Sequence, residues 1–494
     1  MKTVKSSLSN SNFWICVLLV AYNFFSKYPF LTARDLSWDE PFSVFYSQFS
    51  VPQIIAELFK GNNPPLYELF LHYYTKVFGI GEFALRMPSL LFSCGTVIFL
   101  YATGTRLKGR WMGVFVALLF MFNSLQFFYS VAARMYALFS MLVAASVYYS
   151  VICYQEPMRK KLFFYLLFVN VLMCYTHYFA GFVIVAEAIG WLVAFRNNFF
   201  FKYTFLVFAA NTVLVIPMLV FFKIRASGYF TFFEFNAPTA QAWLGAVKTL
   251  VNGHIIFDSM VTFFTVGLII YFVVCLYRRK INLKNSYYFV LFFLMITMPI
   301  AYTWYYGNTY PLFIDRYYVY TTIPIFLFFA LCLTIFFKPL GSIWAPLFLL
   351  NIVYISYQNF SRMSPDYLLR EWKGATITAK QFQQESPGAI ILIAPLWADL
   401  GFSYYYDRSL FKSGNNYNED LSKRKVYRIW NSDSLGSILD KHKGSNVVLY
   451  CDENAKVDST TDGNYRLLQR RGYVKDTSFF YAQCTTVIKL HPTR

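Results

Sequence analysis

The chain has 494 residues, of which 57% are hydrophobic and 14% charged, with 56 Phe, 40 Tyr and a formal net charge of +19. Soluble domains carry about 25% charged residues, so the deficit points to an integral membrane protein. The positive balance does not indicate nucleic acid, because the basic residues sit in short clusters between apolar runs and not on one concentrated face.

The first apolar run, from about Phe13 to Leu31, is longer than the roughly 7–15-residue core of a signal peptide and lacks a small-residue cleavage site, so it reads as an anchor and first span. A span needs about 20 mostly apolar residues. By that measure the chain holds about eleven, centred on Val20, Phe92, Ala117, Ala144, Phe168, Val185, Val213, Leu268, Leu294, Phe328 and Leu349. If the spans alternate, the clusters Lys2/Lys5, Arg106/Lys108/Arg110, Arg159/Lys160/Lys161, Arg196/Lys202, Arg278/Arg279/Lys280/Lys284 and Lys338 all fall on one side. That side is then cytoplasmic, with the N-terminus, and the C-terminal part lies outside.

Three segments on the outer side are longer than turns. The first, 32–82, opens with Leu36-Ser-Trp-Asp-Glu-Pro-Phe42 and continues through an amphipathic stretch, Val51 to Phe59, to Gly61-Asn-Asn-Pro-Pro-Leu-Tyr67. Pro64 and Pro65 disfavour helix before them and open one at Leu66. Its aromatic face, about Leu66 to Val77, suits a membrane interface. The second segment, about 224–259, carries Glu234, Trp243, Lys248, His254 and Asp258; the third, 305–316, ends on Asp315 and Arg316.

After about Phe360 charge rises and long apolar runs stop. A helical pattern over Asp366 to Glu385 precedes β-like runs at Ala389–Ala394, Val426–Trp430, Val447–Cys451 and Tyr481–Leu490, the pattern of a small α/β domain with a partly parallel sheet. The fold class expected is a polytopic α-helical membrane protein: residues 1–359 form the transmembrane domain, with 32–82 as its functional outer loop, and 360–494 an extracytoplasmic α/β domain. The eight cysteines show no metal-ligand spacing. Cys451 and Cys484 either pair, as an oxidising compartment permits, or remain buried thiols.

Asp39 and Glu40 are adjacent acids flanked by Trp38, Pro41 and Phe42. A solvated loop is one reading. The other is a general base, since partial desolvation and a neighbouring like charge both raise a carboxyl pKa. Arg86, Arg134 and Arg316 lie at the outer boundary, against the positive-inside preference. Each either snorkels to headgroups or contributes to a phosphate clamp, which guanidinium geometry suits; Asp315–Arg316 could also be a local ion pair. His177, in Tyr175-Thr-His-Tyr178, and His254 are structural or functional. Glu187 is the notable charge within a span and the seed of a transport reading. The Tyr404–Tyr406 run offers a sugar-stacking surface, or the domain merely caps the loops.

The order of Asp39-Glu40, Asn63-Pro-Pro-Leu-Tyr67, Phe83-Ala-Leu-Arg-Met-Pro-Ser89, Ala133-Arg-Met-Tyr-Ala-Leu138, Thr176-His-Tyr-Phe179, Asp315-Arg-Tyr-Tyr318, Glu371-Trp-Lys-Gly374 and Phe402-Ser-Tyr-Tyr-Tyr406 resembles bacterial membrane glycosyltransferases of the GT-C class over nearly the whole chain. The nearest relatives are the protein-mannosyltransferase and aminoarabinose-transferase superfamily (glycosyltransferase family 39 or 83). The resemblance implies inverting transfer of a sugar from a polyprenyl-phosphate donor to an extracytoplasmic lipid, glycan or protein, in the inner (plasma) membrane. Asp39 would be the base, with Glu40 positioning the site. Arg134 and Arg316 would hold the donor phosphate, with Arg86 in a supporting place. Asn63, Tyr67, Tyr136 and His177 are the substrate-binding candidates. No cofactor is required on this reading, and a divalent metal is compatible with it. The chain departs from the pattern at Ala133, where relatives often carry an acid, and at Asn63, where His is common; Asp39 then works alone, another acid such as Asp258 substitutes, or acceptor chemistry differs. The rival function is a polytopic transporter or lipid-linked glycan flippase.

Overall fold

Long apolar runs bury their own backbone polar groups as helices, the form a lipid environment demands. In a computed structural model of the chain, the described residues are 10–36, 39–60, 63–193, 198–226, 283–306, 315–336, 350, 354, 371–412, 414–452, 463–481 and 485–493. The expectations for 224–259 beyond residue 226, including His254 and Asp258, for the spans centred on Leu268 and Leu349, and for Cys484 as a partner of Cys451 lie outside them.

The helices in chain order are α1 (Asn10–Lys27), α2 (Glu40–Ser47), α3 (Val51–Lys60), α4 (Leu66–Phe78), α5 (Glu82–Lys108), α6 (Arg110–Met121), α7 (Ser124–Ser130), α8 (Tyr136–Gln155), α9 (Lys160–Cys174), α10 (Ala180–Val193), α11 (Asn198–Ala226), α12 (Leu283–Tyr306) and α13 (Thr322–Phe336). Among the described residues five helices are long and apolar enough to cross a membrane. They hold the segments centred on Val20, Phe92, Ala144, Val213 and Leu294. The span expected around Ala117 is instead a pair, α6 and α7, bent by 71°. The bend has a local cause: Asn123 accepts the Gln126 N–H at 3.0 Å and starts α7 as a new helix. The segments centred on Phe168, Val185 and Phe328 are helices of 15, 14 and 15 residues, shorter than a full span. Of the nine expected spans that fall among the described residues, five are met by helices of full crossing length, or six with the bent pair.

Packing between helices agrees with the alternation of spans. Arg106 at the end of α5 and Arg159 before α9 both pair with Glu156, at 2.7 and 2.6 Å, so these two basic clusters share one end of the helices. Near that end α5 and α6 come close: a Cβ on Gly104 would lie 2.7 Å from the Gly113 Cα. Within the helices, Glu187 is fully buried, accepting from Ser146 Oγ at 2.8 Å and Asn170 Nδ2 at 2.9 Å. Ser150 and Trp191 both meet the Tyr287 hydroxyl, at 2.7 and 2.8 Å. Such polar contacts join helices where the hydrophobic effect no longer separates one apolar surface from another.

The C-terminal residues form an α/β sandwich. Its helices are α14 (Trp372–Glu385), α15 (Asp399–Tyr406), α16 (Tyr417–Lys423), α17 (Ser432–Lys441) and α18 (Gly463–Arg470), and its strands β1 (Ile390–Ala394), β2 (Val426–Arg428), β3 (Val447–Asp452), β4 (Tyr473–Tyr481) and β5 (Thr485–Pro492). The sheet order is β2-β1-β3-β5-β4. β1 pairs in parallel with β2 and β3, and β5 runs antiparallel to β3 and β4. The central strands β1 and β3 are buried throughout, as an unbroken apolar run requires. β4 was not among the expected strands: it is an edge strand whose residues are mostly exposed, and its apolar residues, Tyr473-Val474 and Phe479–Tyr481, cluster at its ends and do not alternate with polar ones.

The chain divides into two compact units. One comprises Met1–Pro29, Ile55–Tyr67 and Arg86–Ser361; the other comprises Phe30–Ile54, Glu68–Leu85 and Arg362–Arg494. Much of the first long interhelical segment, including Asp39, thus groups with the α/β residues.

Candidate active site

In the α/β unit, Asp39 is the half-buried N-cap residue of α2, and its carboxylate does not cap the helix. Glu40 and Pro41 fill the first turn, Pro where its missing N–H costs nothing and the acid where the helix dipole favours it. Glu40 is 2% exposed, so it is the more deeply buried of the pair. Two features hold α2. Ser43 Oγ donates to the buried carboxylate of Glu68 at 2.8 Å, and Phe45 packs its ring against Phe411 and Tyr417, with centroids at 5.5 and 5.0 Å. Before α2, Asp35 accepts the Lys373 N–H at 2.7 Å. Burial pushes the Asp35 carboxyl up, that N–H opposes the shift, and the neighbouring Glu82 adds to it.

The helical unit gathers the cationic candidates. Arg134 sits in the turn between α7 and α8 and is 5% exposed. Ser89, three residues past the fully buried Arg86 on α5, donates to the Ala132 carbonyl at 2.6 Å and so ties that turn to α5. The Arg134 guanidinium lies 5.9 Å from the Tyr136 ring centre, and the Tyr136 and His177 ring centres are 6.1 Å apart. His177 stacks on Phe139 at 4.7 Å and meets Tyr317 at 5.6 Å. Arg316 lies 5.9 Å from the Tyr317 ring. Arg134 and Arg316, from distant segments, therefore each lie beside a ring of one aromatic cluster around His177. The Leu66 N–H donates to the Tyr175 carbonyl at 3.0 Å, which ties Asn63-Pro-Pro-Leu-Tyr67 to the segment before His177. Asn63 is 7% exposed and Tyr67 is fully buried. The Asp315 side chain, and with it the Asp315–Arg316 ion pair considered above, lies outside the described residues.

His177 is neutral here for a structural reason. Its Nδ1 accepts the Phe179 N–H at 3.1 Å, so the ring proton belongs on Nε2. Burial and then the Arg134 charge push its pKa down to about 3. The ring thus offers an N–H donor without adding charge beside Arg134.

The sequence did not single out Gln126, Ser43, Glu68 or Tyr317. Gln126 is 2% exposed, and its Nε2 reaches the Val319 carbonyl at 2.9 Å, Thr322 Oγ1 at 2.8 Å and Ser140 Oγ at 3.3 Å. It fastens the 3-10 turn Asp315–Thr321, which carries Arg316, to α7 and α8. Its amide, among the polar residues Asn123, Ser124 and Ser130 of an aromatic-rich run, gave no signal that set it apart. Glu187, on which a transport reading turns, has both carboxylate oxygens engaged by Ser146 and Asn170 in helix packing. The Tyr404–Tyr406 run is no stacking platform. Successive helical residues point about 100° apart, and the three hydroxyls donate to the Ile80 carbonyl, Glu82 and Gln383 respectively. Among the described residues no group of three or more His, Cys, Asp or Glu is arranged to hold a metal ion.

Residues 62–221 match the family model of dolichyl-phosphate-mannose-protein mannosyltransferase. A comparison with curated proteins found no match. Among solved structures, ArnT from Cupriavidus metallidurans, both in the apo state and bound to undecaprenyl phosphate, is 12% identical with a TM-score of 0.59, covering 97% of this chain and 98% of ArnT. The oligosaccharyltransferase of Archaeoglobus fulgidus in its apo form is 9% identical with a TM-score of 0.54, covering 98% of this chain and 75% of that one. The motif order and the shared fold agree: the chain has the fold of the GT-C glycosyltransferases, and across residues 62–221 it matches their dolichyl-phosphate-mannose-protein mannosyltransferase family.

Proposed function

We propose that the protein is an inverting glycosyltransferase that moves a sugar from a polyprenyl-phosphate carrier to a lipid, glycan or protein acceptor on the extracytoplasmic side of the membrane. The observation that carries this reading is the pair of arginines, Arg134 and Arg316, each beside a ring of the aromatic cluster around His177. Guanidinium groups held rigidly suit a phosphate whose charge grows as the sugar departs. The family match and the undecaprenyl phosphate bound to ArnT support a lipid-linked donor.

In the reaction, an acceptor hydroxyl or amine forms a bond to the anomeric carbon as the bond from that carbon to the phosphate oxygen breaks. Asp39 takes the acceptor's proton, Glu40 at the start of α2 supports it, and Arg134 and Arg316 hold the leaving polyprenyl phosphate. Asn63, Tyr67, Tyr136 and neutral His177 line the sugar and phosphate. Arg86, fully buried, has the supporting place. The arginines supply the charge stabilisation, so the scheme does not depend on a metal.

The test is transfer of label from radiolabelled polyprenyl-phosphate mannose into membrane extract by the purified protein in liposomes. Asp39→Asn should abolish transfer, whereas Arg134→Ala and Arg316→Ala should weaken donor binding. Wild-type transfer by Asp39→Asn overturns the base assignment. Movement of the intact donor between leaflets without bond formation would replace the reading with a flippase.

A further inference from the structure

The approach to Asp39 is held by one side chain of the α/β unit. The Leu36 N–H donates to the Tyr405 hydroxyl at 2.7 Å, and that hydroxyl donates onward to Glu82 Oε1 at 3.1 Å. Next to it, Tyr404 donates to the Ile80 carbonyl at 2.6 Å, and the Lys373 N–H binds Asp35 at 2.7 Å. Leu36 lies three residues before Asp39, and Glu82 is the first residue of α5. Tyr405 therefore joins both ends of the segment containing α2, α3 and α4 through a single oxygen. Beyond Asp39, the rings of Phe411 and Tyr417 hold α2 at Phe45. Asp39 thus stands between two anchors supplied by the same unit, one on the backbone before it and one on the helix after it. Leu36 is fully buried, so its N–H has no water to turn to if the tyrosine oxygen is removed.

We propose that Tyr405 is a positioning residue for Asp39: its hydroxyl, accepting from Leu36 and donating to Glu82, sets where the carboxylate stands. The α/β unit is then part of the catalytic apparatus and not a cap on it. This rests on Asp39 being the base. A carboxylate misplaced by about 1 Å loses on the order of a hundredfold in rate, and the loss falls on kcat because the donor's own contacts are untouched.

The experiment uses the full-length protein in liposomes, as wild type and as Tyr405→Phe, Glu82→Gln and Asp39→Asn. It reads hydrogen exchange at the Leu36 amide and steady-state transfer from radiolabelled polyprenyl-phosphate mannose. Tyr405→Phe should speed Leu36 exchange about tenfold and lower kcat about tenfold or more, with the donor KM within about twofold. Glu82→Gln, which replaces a charged acceptor for the tyrosine proton with a neutral one, should lower kcat in the same direction by less than Tyr405→Phe. Unchanged Leu36 exchange in Tyr405→Phe overturns the inference, and it does so even if the wild-type chain transfers nothing from this probe. Faster exchange with wild-type kcat also overturns it. If Asp39→Asn transfers like wild type, it is the reading of Asp39 that fails, and exchange at Leu36 still reports whether the clasp exists.

Discussion

His177 offers a direct test of the cationic cluster, through pH. An unperturbed histidine titrates near 6.5, while burial and Arg134 push His177 down to about 3. In the unfolded chain the ring takes up a proton as pH falls below about 6.5; in the folded chain it does not until about pH 3. Stability from this group is therefore complete above pH 6.5 and is lost on acidification through the interval down to 3. The loss grows by about 1.4 kcal/mol per pH unit, reaching about 1.4 kcal/mol at pH 5.5 and about 2.7 at pH 4.5. The measurement is thermal unfolding of the protein in detergent between pH 7.5 and 4.5, comparing wild type with His177→Gln. The glutamine carbonyl can still accept the Phe179 N–H but cannot ionise. The variant's profile should be flatter by the amounts above. Parallel profiles would refute the assignment of a buried neutral ring beside Arg134.

Three further outcomes are expected. Gln126→Met keeps the volume but removes the donor shared by Val319, Thr322 and Ser140; it should cost about 1–3 kcal/mol and raise the donor KM through Arg316, and a wild-type melting temperature and KM would count against it. Gly401→Ala places a Cβ 1.9 Å from the ring carbons of Trp372, whose Nε1 donates to Asp452 at 3.0 Å. The clash should destabilise the α/β unit by about 1–3 kcal/mol or more, seen as a lowered unfolding temperature, and an unshifted transition would contradict the close approach. Asp399 lies 2.9 Å from Arg428, yet burial outweighs that charge and pushes the carboxyl up to about 6. The folded form then holds its proton more tightly than the unfolded one. Stability should fall by about 3 kcal/mol as pH rises from about 4 to about 6, with the sign opposite to that of His177. Asp399→Asn should remove this slope, and a slope that persists would exclude Asp399 as its source.

Much of this protein could be read from the order of its residues. Hydropathy located the long helices because a membrane-crossing helix must be apolar along its length. The clusters at Arg106 and Arg159 implied a shared end, and Glu156 joins them. The α/β pattern gave four of the five strands, since a buried central strand such as Ile390–Ala394 is an apolar run bounded by breaks. The ordered motifs named Arg134, Tyr136, His177 and Arg316 individually. Tertiary structure alone decided what those residues meet. Hydrophobic patterning specifies which residues are buried, but contacts across helices depend on how each helix is rotated and how its ends are capped. So Asn123 turns one expected span into a bent pair, and a lone Gln126 fastens the Arg316 turn. Arg134 and Arg316 come to one aromatic cluster, and three tyrosines in succession point three ways, with Tyr405 reaching the backbone before Asp39.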